Sequence, residues 1–372
     1  MSMTPFTAPA THFGPLYGMI DDCFQAPLLI TAINLGVFDK TKVPLSVSDI
    51  VAQTGWHPEN TGLFLNALVA SGLLEKQDKK FCNTLLSKTF LVKSAPTYLG
   101  DFLVHAFSMS LHDPQTLGEL IRQGPPNMPD LPENQGEAIE AQAEAFIQMQ
   151  ARMELSGFTS LAASIVSDLP EFPRMKKMLD LGGGPGLNCM AIVSAHPSLK
   201  GTVFDFPAVT RQTHRFIEAY GMVDRISTLS GDFTKDDLGC GYDLILASGT
   251  LNFSKAFLEP VMAKIYNALA PGGICVSLHD PLNPDGTGPA GSVRRYLPMA
   301  LLGNDYYLET DSIPQAMFRA GFQSVVSRRG ETPMGPGQLD IGRASDKLRS
   351  NSSGALLNVS RASTGETKAS TW

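Results

Sequence analysis

Charge is sparse in this sequence, and cysteine is sparser. Charged residues make up 17% of the 372, and their balance is acidic, with a formal net charge of −7. A nucleic-acid surface needs clustered Lys and Arg, so none is expected. The five cysteines, Cys23, Cys82, Cys189, Cys240 and Cys275, are scattered without a C-x-x-C pair. That excludes a zinc site of the usual spacing, and no metal is expected; it also suggests reduced thiols in a cytosol. No run of about 18 apolar residues occurs, so no segment is expected to cross a membrane. The first residues lack a basic stretch followed by an apolar one, the pattern of a secretion signal. The expectation is a cytoplasmic protein without membrane or nucleic-acid partners.

What is present is a globular composition, 43% hydrophobic, on a chain long enough for two cores. Residues 1–15 are rich in Thr, Pro and Ala and read as an arm. From Asp22 to Phe38, apolar residues recur at helical spacing up to Gly36. Ser46 and Ser48 precede a short helix, and Pro58 opens another over 58–71. LLEKQDKKFCNT then reads as a hairpin around Asp78. Three helices and a hairpin are the pattern of a winged helix. The 58–71 helix carries no Lys or Arg, so it lacks what a DNA-reading helix needs. Residues 98–122 read as one helical stretch carrying His105, Met109 and His112. A connector with Pro125, Pro126, Pro129 and Pro132 follows. Glu137 to Asp168 then reads as a long helical run broken near Gly157, with Phe146, Met149 and Met153 in its first half. Such a stripe is ordinarily core, and it could also wall a pocket.

The chain is organised around KKMLDLGGGPGLNCM, Lys176–Met190. An apolar strand runs into Gly182, Gly183, Gly184 and Gly186, and helical spacing begins at Leu187. A glycine turn of this kind lets a ligand approach bare backbone at a helix N-terminus. The spacing is D-x-G-x-G-x-G from Asp180. Leu187 stands where a G-x-G-x-x-G motif would have its last glycine, and no G-x-x-x-x-G-K-[ST] follows. Strands at 177–181, 201–205, 226–229, 242–247 and 273–279 alternate with helices at 187–195, 208–220 and 255–269. A hairpin-like end follows at 322–328 and 337–343. This alternation predicts a doubly wound parallel sheet whose ligand lies beyond the carboxyl ends of the strands.

Asp205 ends the second strand and could accept hydrogen bonds from both hydroxyls of a ribose. Asp232 and Phe233, in a GDF turn after the third strand, could take an adenine ring by its amino group and its face. The plainer readings are a charge at a helix start for Asp205 and a turn carboxylate for Asp232. The APGG stretch, Ala270–Gly273, reads as a structural turn before the fifth strand. After Ala344 the chain becomes polar, and 346–372 reads as a disordered tail.

LDLGGGPG (Leu179–Gly186), FDFPAV (Phe204–Val209), GDF (Gly231–Phe233) and NALAPGG (Asn267–Gly273) follow a winged helix in this order. In this the chain resembles the S-adenosylmethionine-dependent O-methyltransferases over about residues 20–344. The likeness is narrower to the caffeate, hydroxyindole and bacterial polyketide group. The resemblance implies a homodimer with interlocked N-terminal domains that help wall each other's pocket for a small-molecule acceptor. It implies S-adenosyl-L-methionine as cofactor, with Asp180 and Gly182 near its methionine end and Gly184 in the same turn. Asp205 would hold the ribose and Asp232 and Phe233 the adenine, with Ser248 alongside. His105, Met149, Met153, Arg294 and Arg295 are candidates for the acceptor side. A paired Arg could clamp an acceptor carboxylate.

The chain departs from the family at one place that matters for chemistry. Members usually carry a histidine a few residues after the fourth strand, and it removes the acceptor's proton. Here the stretch reads DLILASGTLNFSKAF, Asp243–Phe257, and Asn252 stands where that histidine would fall. An amide is no base near neutral pH, although it can orient an acceptor. His279, at the end of the fifth strand, is an alternative base, as are His105 and His112. An acceptor that needs no base is a second account, opening methylation at sulfur, carbon or nitrogen. Binding without turnover is a third. The expected domains are a helical dimerisation domain at 1–173 and a cofactor-binding domain at 174–345. A ligand-sensing winged-helix regulator and a NAD-dependent dehydrogenase are the rival readings.

Overall fold

The computed structural model of the chain describes residues 10–126 and 136–346, with the backbone alone for 136–143. Most of the expected arm, Pro129 and Pro132 of the connector, and residues 347–372 of the expected tail lie outside the described residues. The described chain forms two compact units that divide at Met109 and Ser110.

In the first unit, helices Gln25–Asn34, Val47–Thr54 and Pro58–Ala70 precede a hairpin of β2 (Leu74–Gln77) and β3 (Lys80–Asn83). A two-residue strand, β1 (Leu45–Ser46), pairs with β3. The local signals act as expected. Gly36 takes φ +64° to end the first helix, and Ser46 and Asp49 form a capping box on the second. Asp78 and Lys79 both adopt left-handed conformations, the geometry of a two-residue hairpin turn. Phe38, Ile50, Leu65, Leu68 and Phe81 fill the core. Lys76 of the hairpin lies over the Phe81 ring and donates to Asn66 Oδ1 at 2.8 Å, so it serves packing. The stretch expected as one helix over 98–122 is two, Gly100–Ser108 and Pro114–Gln123. Asp113 caps the second, and Pro114 starts it.

The second unit is built on a seven-stranded sheet in the order β6-β5-β4-β7-β8-β10-β9. Its strands are β4 (Lys177–Leu181), β5 (Lys200–Asp205), β6 (Ile226–Ser230), β7 (Tyr242–Ser248), β8 (Leu269–His279), β9 (Ser324–Thr332) and β10 (Gly335–Arg343). The first five are parallel, and β10 runs antiparallel to both neighbours. Central strands are covered on both faces, which is why LILA reads as an unbroken apolar run and MLDL as one broken only by Asp180. Met178, Leu244 and Val276 enter one core with the Thr159–Ser167 and Leu187–Ser194 helices. Leu179, Ile245 and Cys275 enter the other with Leu258–Ala268 and Ser312–Ala320.

The structure departs from the sequence pattern at two places. APGG is not a turn ahead of the fifth strand but part of β8, which starts at Leu269. Gly272 takes φ +72° there and donates to the Ser345 carbonyl at 2.8 Å, while the pairing with β7 shifts register between Tyr242 and Leu244. The chain after β10 supplies that partner, which no local pattern announces. The domain boundary expected at 173/174 also differs from the division at 109/110. Thr159–Ser167 packs on Leu187–Ser194, so the helices before β4 belong to the sheet unit. The long helical run is Gly136–Met153, a wide π-type turn at Glu154–Phe158, and Thr159–Ser167. It breaks where Gly157 takes φ +136°.

Candidate cofactor site at the carboxyl edge of the sheet

Parallel register brings the ends of β4, β5, β6, β7 and β8 to one edge, with Leu181 beside Phe204, Asp205 beside Ser230 and Ser248 beside Leu278. The chain leaves β4 through Gly182, Gly184 and Gly186, at φ +64°, +51° and +78°. Glycine is required there because other residues pay strain in that region. The turn is held from three elements. Gly182 donates to the Phe204 carbonyl at 2.8 Å, and Gly184 donates to Asp205 Oδ2 at 2.9 Å. Thr213 Oγ1 donates to the Gly184 carbonyl at 2.6 Å, and Thr250 Oγ1 to the Leu181 carbonyl at 2.8 Å. Protein side chains crowd the turn as well. A Cβ at Gly182 would meet Thr250 Cγ2 at 2.5 Å, and one at Gly184 would meet Gln150 Nε2 at 2.5 Å.

The Leu187–Ser194 helix begins after Gly186, which offers no capping side chain. Carboxylates from elsewhere take over. Asp180 Oδ2 accepts from the Cys189 amide at 3.1 Å, and the Asn188 amide favours the charged form of Glu154. Burial pushes Asp180 up to about 7, opposed by the Cys189 N–H and reinforced by Asp205. Burial and then Asp180 hold Glu154 well above the usual carboxylate range, against a hydrogen bond from Gln150. Asp205 is also raised, by burial, against the Gly184 and Phe206 amides. Three carboxylates thus meet near one glycine turn, and among the described residues no cationic group contributes to their shifts. Such a site repels phosphate and attracts a cation.

The other predicted residues fare differently. Asp232 Oδ1 accepts from the Thr234 amide and hydroxyl and Oδ2 pairs with Lys235 at 2.9 Å, bonds that hold it at about 2. Its carboxylate therefore serves its own turn, and Phe233 is buried in the core. Ser248 is half-buried at the end of β7. Asn252 is buried, with Nδ2 donating to the Tyr306 carbonyl at 3.2 Å and to Tyr296 Oη at 3.4 Å. His279 is sealed beside Gln338 and Asp340 of β10, its Nδ1 3.8 Å from Asp340 Oδ2, and burial lowers it to about 4. Met149 and Met153 are half-buried and Arg294 is exposed. Arg295 is engaged by Asp280 and by the Met334 carbonyl, so the two arginines do not form a free pair. His105 lies exposed in the first unit, on Gly100–Ser108.

Sequence reasoning missed Glu154, Gln150 and Asn188. A signal was available for the first. Ile147, Ala151 and Glu154 fall at i, i+4 and i+7, and all are buried, so an acid interrupts an apolar stripe.

Residues 137–322 match the O-methyltransferase domain family, and residues 23–93 match the O-methyltransferase dimerisation domain. The chain is 30% identical over 320 residues to acetylserotonin O-methyltransferase of Bos taurus, covering 81% of this chain and 90% of the relative. It is 25% identical to the N,N-dimethyltransferase OxyT of Streptomyces rimosus over 315 residues, covering 82% and 88%. The crystal structure of human N-acetylserotonin methyltransferase in complex with SAM has the same fold, with a TM-score of 0.71 at 22% identity, over 92% of this chain and 100% of that one.

Proposed function

Since the chain belongs to the O-methyltransferase family, an S-adenosylmethionine-dependent methyltransferase family, we propose that it methylates a small acceptor that needs no histidine base. An amine, a thioether or an already ionised hydroxyl is such an acceptor, and OxyT bears an N-methylating name within the same similarity. The observation that carries this reading is the state of the two candidate groups. Asn252 is committed to Tyr306 and Tyr296, and the ring of His279 is sealed in the sheet. Of the other histidines of the sheet unit, His196 precedes β5 at its amino end and His214 lies within the Pro207–Ala219 helix. Rate then comes from proximity and in-line alignment of the acceptor with the sulfonium methyl.

The acidic surroundings of the glycine turn support a cationic cofactor and disfavour the pyrophosphate of a dinucleotide. Gly182 and Gly184 would lie along the cofactor, with Asp205 at its ribose. Asp180 acts from beneath the turn. The bonds of Asp232 within its own turn favour Ser248 and the backbone after β6 for the adenine end. The dimerisation-domain match supports a homodimer.

Methyl-labelled S-adenosylmethionine offered with a phenol, an amine and a thioether tests the reading. Transfer to the thioether or amine should be fastest, and His279→Gln should change kcat by less than about threefold, because general-base catalysis is worth about 10²–10⁴. A hundredfold loss in His279→Gln with cofactor affinity intact would sink it.

A further inference from the structure

Glu154 places a carboxyl group on the buried side of its helix, where it is 4% exposed. Its Oε1 accepts from Gln150 Nε2 at 3.2 Å, while its Oε2 is buried and has no hydrogen-bond partner among the described residues. Asp180 and Asp205 both repel its charge. A second orphan stands beside it. Asn188 is 5% exposed, its backbone N–H interacts with Glu154, and its Oδ1 is also buried without a partner among the described residues. An unpaired buried acceptor is unfavourable, and an unpaired carboxylate more so. The helix-capping role described above engages the Asn188 backbone N–H and leaves Glu154 Oε2 and Asn188 Oδ1 without a partner among the described residues. Two acceptors without donors, beside two further carboxylates, fit one kind of group: a cation with several N–H donors.

We propose that Glu154 is a cofactor-binding residue whose carboxylate, together with Asn188 Oδ1, receives the α-ammonium of the methionine end of S-adenosylmethionine. This rests on the cofactor reading above. Its position agrees, because Gln150, which holds Glu154, lies against Gly184 of the turn. The wide turn at Glu154–Phe158 agrees too, since an extra residue in a helix re-aims its side chains and recurs at functional sites.

Calorimetric titration of the full chain and of E154Q with two probes tests the proposal. S-adenosylhomocysteine carries the ammonium; 5′-methylthioadenosine lacks the whole amino-acid end. Gln keeps the shape and one acceptor but removes the charge. E154Q should weaken S-adenosylhomocysteine about tenfold or more, the worth of a hydrogen bond to a charged group, and 5′-methylthioadenosine less than about twofold. Equal loss for both probes, or loss for neither, overturns the proposal, because a purely structural Glu154 would not discriminate between them. Binding of neither probe by the wild type overturns the cofactor reading itself, and the proposal with it. Should E154Q fail to fold, E154D, which keeps the charge and withdraws it from the turn, is titrated instead. Selective loss of S-adenosylhomocysteine supports the proposal, and equal loss overturns it.

Discussion

At the scale of single residues, Asp180 combines two demands. It must be buried to reach the Cys189 amide, and burial opposes its charge. Its folded value of about 7 lies above the ordinary 3.8. Below about pH 4 the carboxyl is protonated whether the chain is folded or not, and its favourable contribution is complete. Between about 4 and 7 the unfolded chain ionises while the folded one holds the proton, so stability falls as pH rises. Above about 7 no further loss accrues. Asp180→Asn keeps an acceptor for Cys189 and removes this dependence. Urea unfolding of the cofactor-free protein should show wild type losing on the order of 2 kcal/mol relative to Asp180→Asn between pH 4.5 and 7.5. An unchanged difference across that range would mean that Asp180 does not titrate there.

The glycine turn is the element on which this unit depends, and its three left-handed glycines are not equivalent. Gly182 faces the β-branched Thr250, whose hydroxyl is tied to the Leu181 carbonyl. Gly184 faces the end of Gln150, a side chain that can swing aside. Both substitutions pay for the left-handed backbone, but only the first meets a fixed neighbour. Gly182→Ala should cost about 2–4 kcal/mol and Gly184→Ala about 1–2 kcal/mol. Denaturant midpoints at constant m would measure this, and the reverse order would show that Gln150 is the more rigid wall. The crowding also alters what the motif means. The glycines admit protein as much as ligand, since the space a Cβ would need already holds side chains from the helix before β4 and from the chain after β7.

For the whole molecule, the first unit leaves an apolar helix bare. On Gly14–Asp22, Leu16 is 68% and Ile20 66% exposed, and Tyr17 and Met19 stand beside them. Contiguous apolar surface of this kind marks an interface, and the dimerisation-domain match extends from Cys23 through the neighbouring helix. Leu16→Glu combined with Ile20→Glu should convert a dimer to a monomer in sedimentation equilibrium, since an isologous contact places each added charge in the interface twice. A double variant that sediments as wild type would locate the interface elsewhere.

Periodicity and punctuation determined the order of elements in both units. Strand runs such as MLDL and LILA, the Asp78–Lys79 turn and the Ser46 cap are decided by neighbours along the chain, so they could be read in one dimension. The D-x-G-x-G-x-G turn and the four ordered motifs likewise determined the family and the cofactor class. Tertiary structure alone decided the rest. It joined the helices before β4 to the sheet, drew APGG into β8 through Ser345, sealed the His279 ring within the sheet, and closed Asn252 and Arg295 into bonds with distant partners. It also brought Glu154, 26 residues before Asp180, beside that carboxylate. The physical reason is common to all of these. Burial, electrostatic repulsion and the loss of a hydrogen-bond partner depend on which segments meet in space, and for these residues the partners come from other elements of the fold.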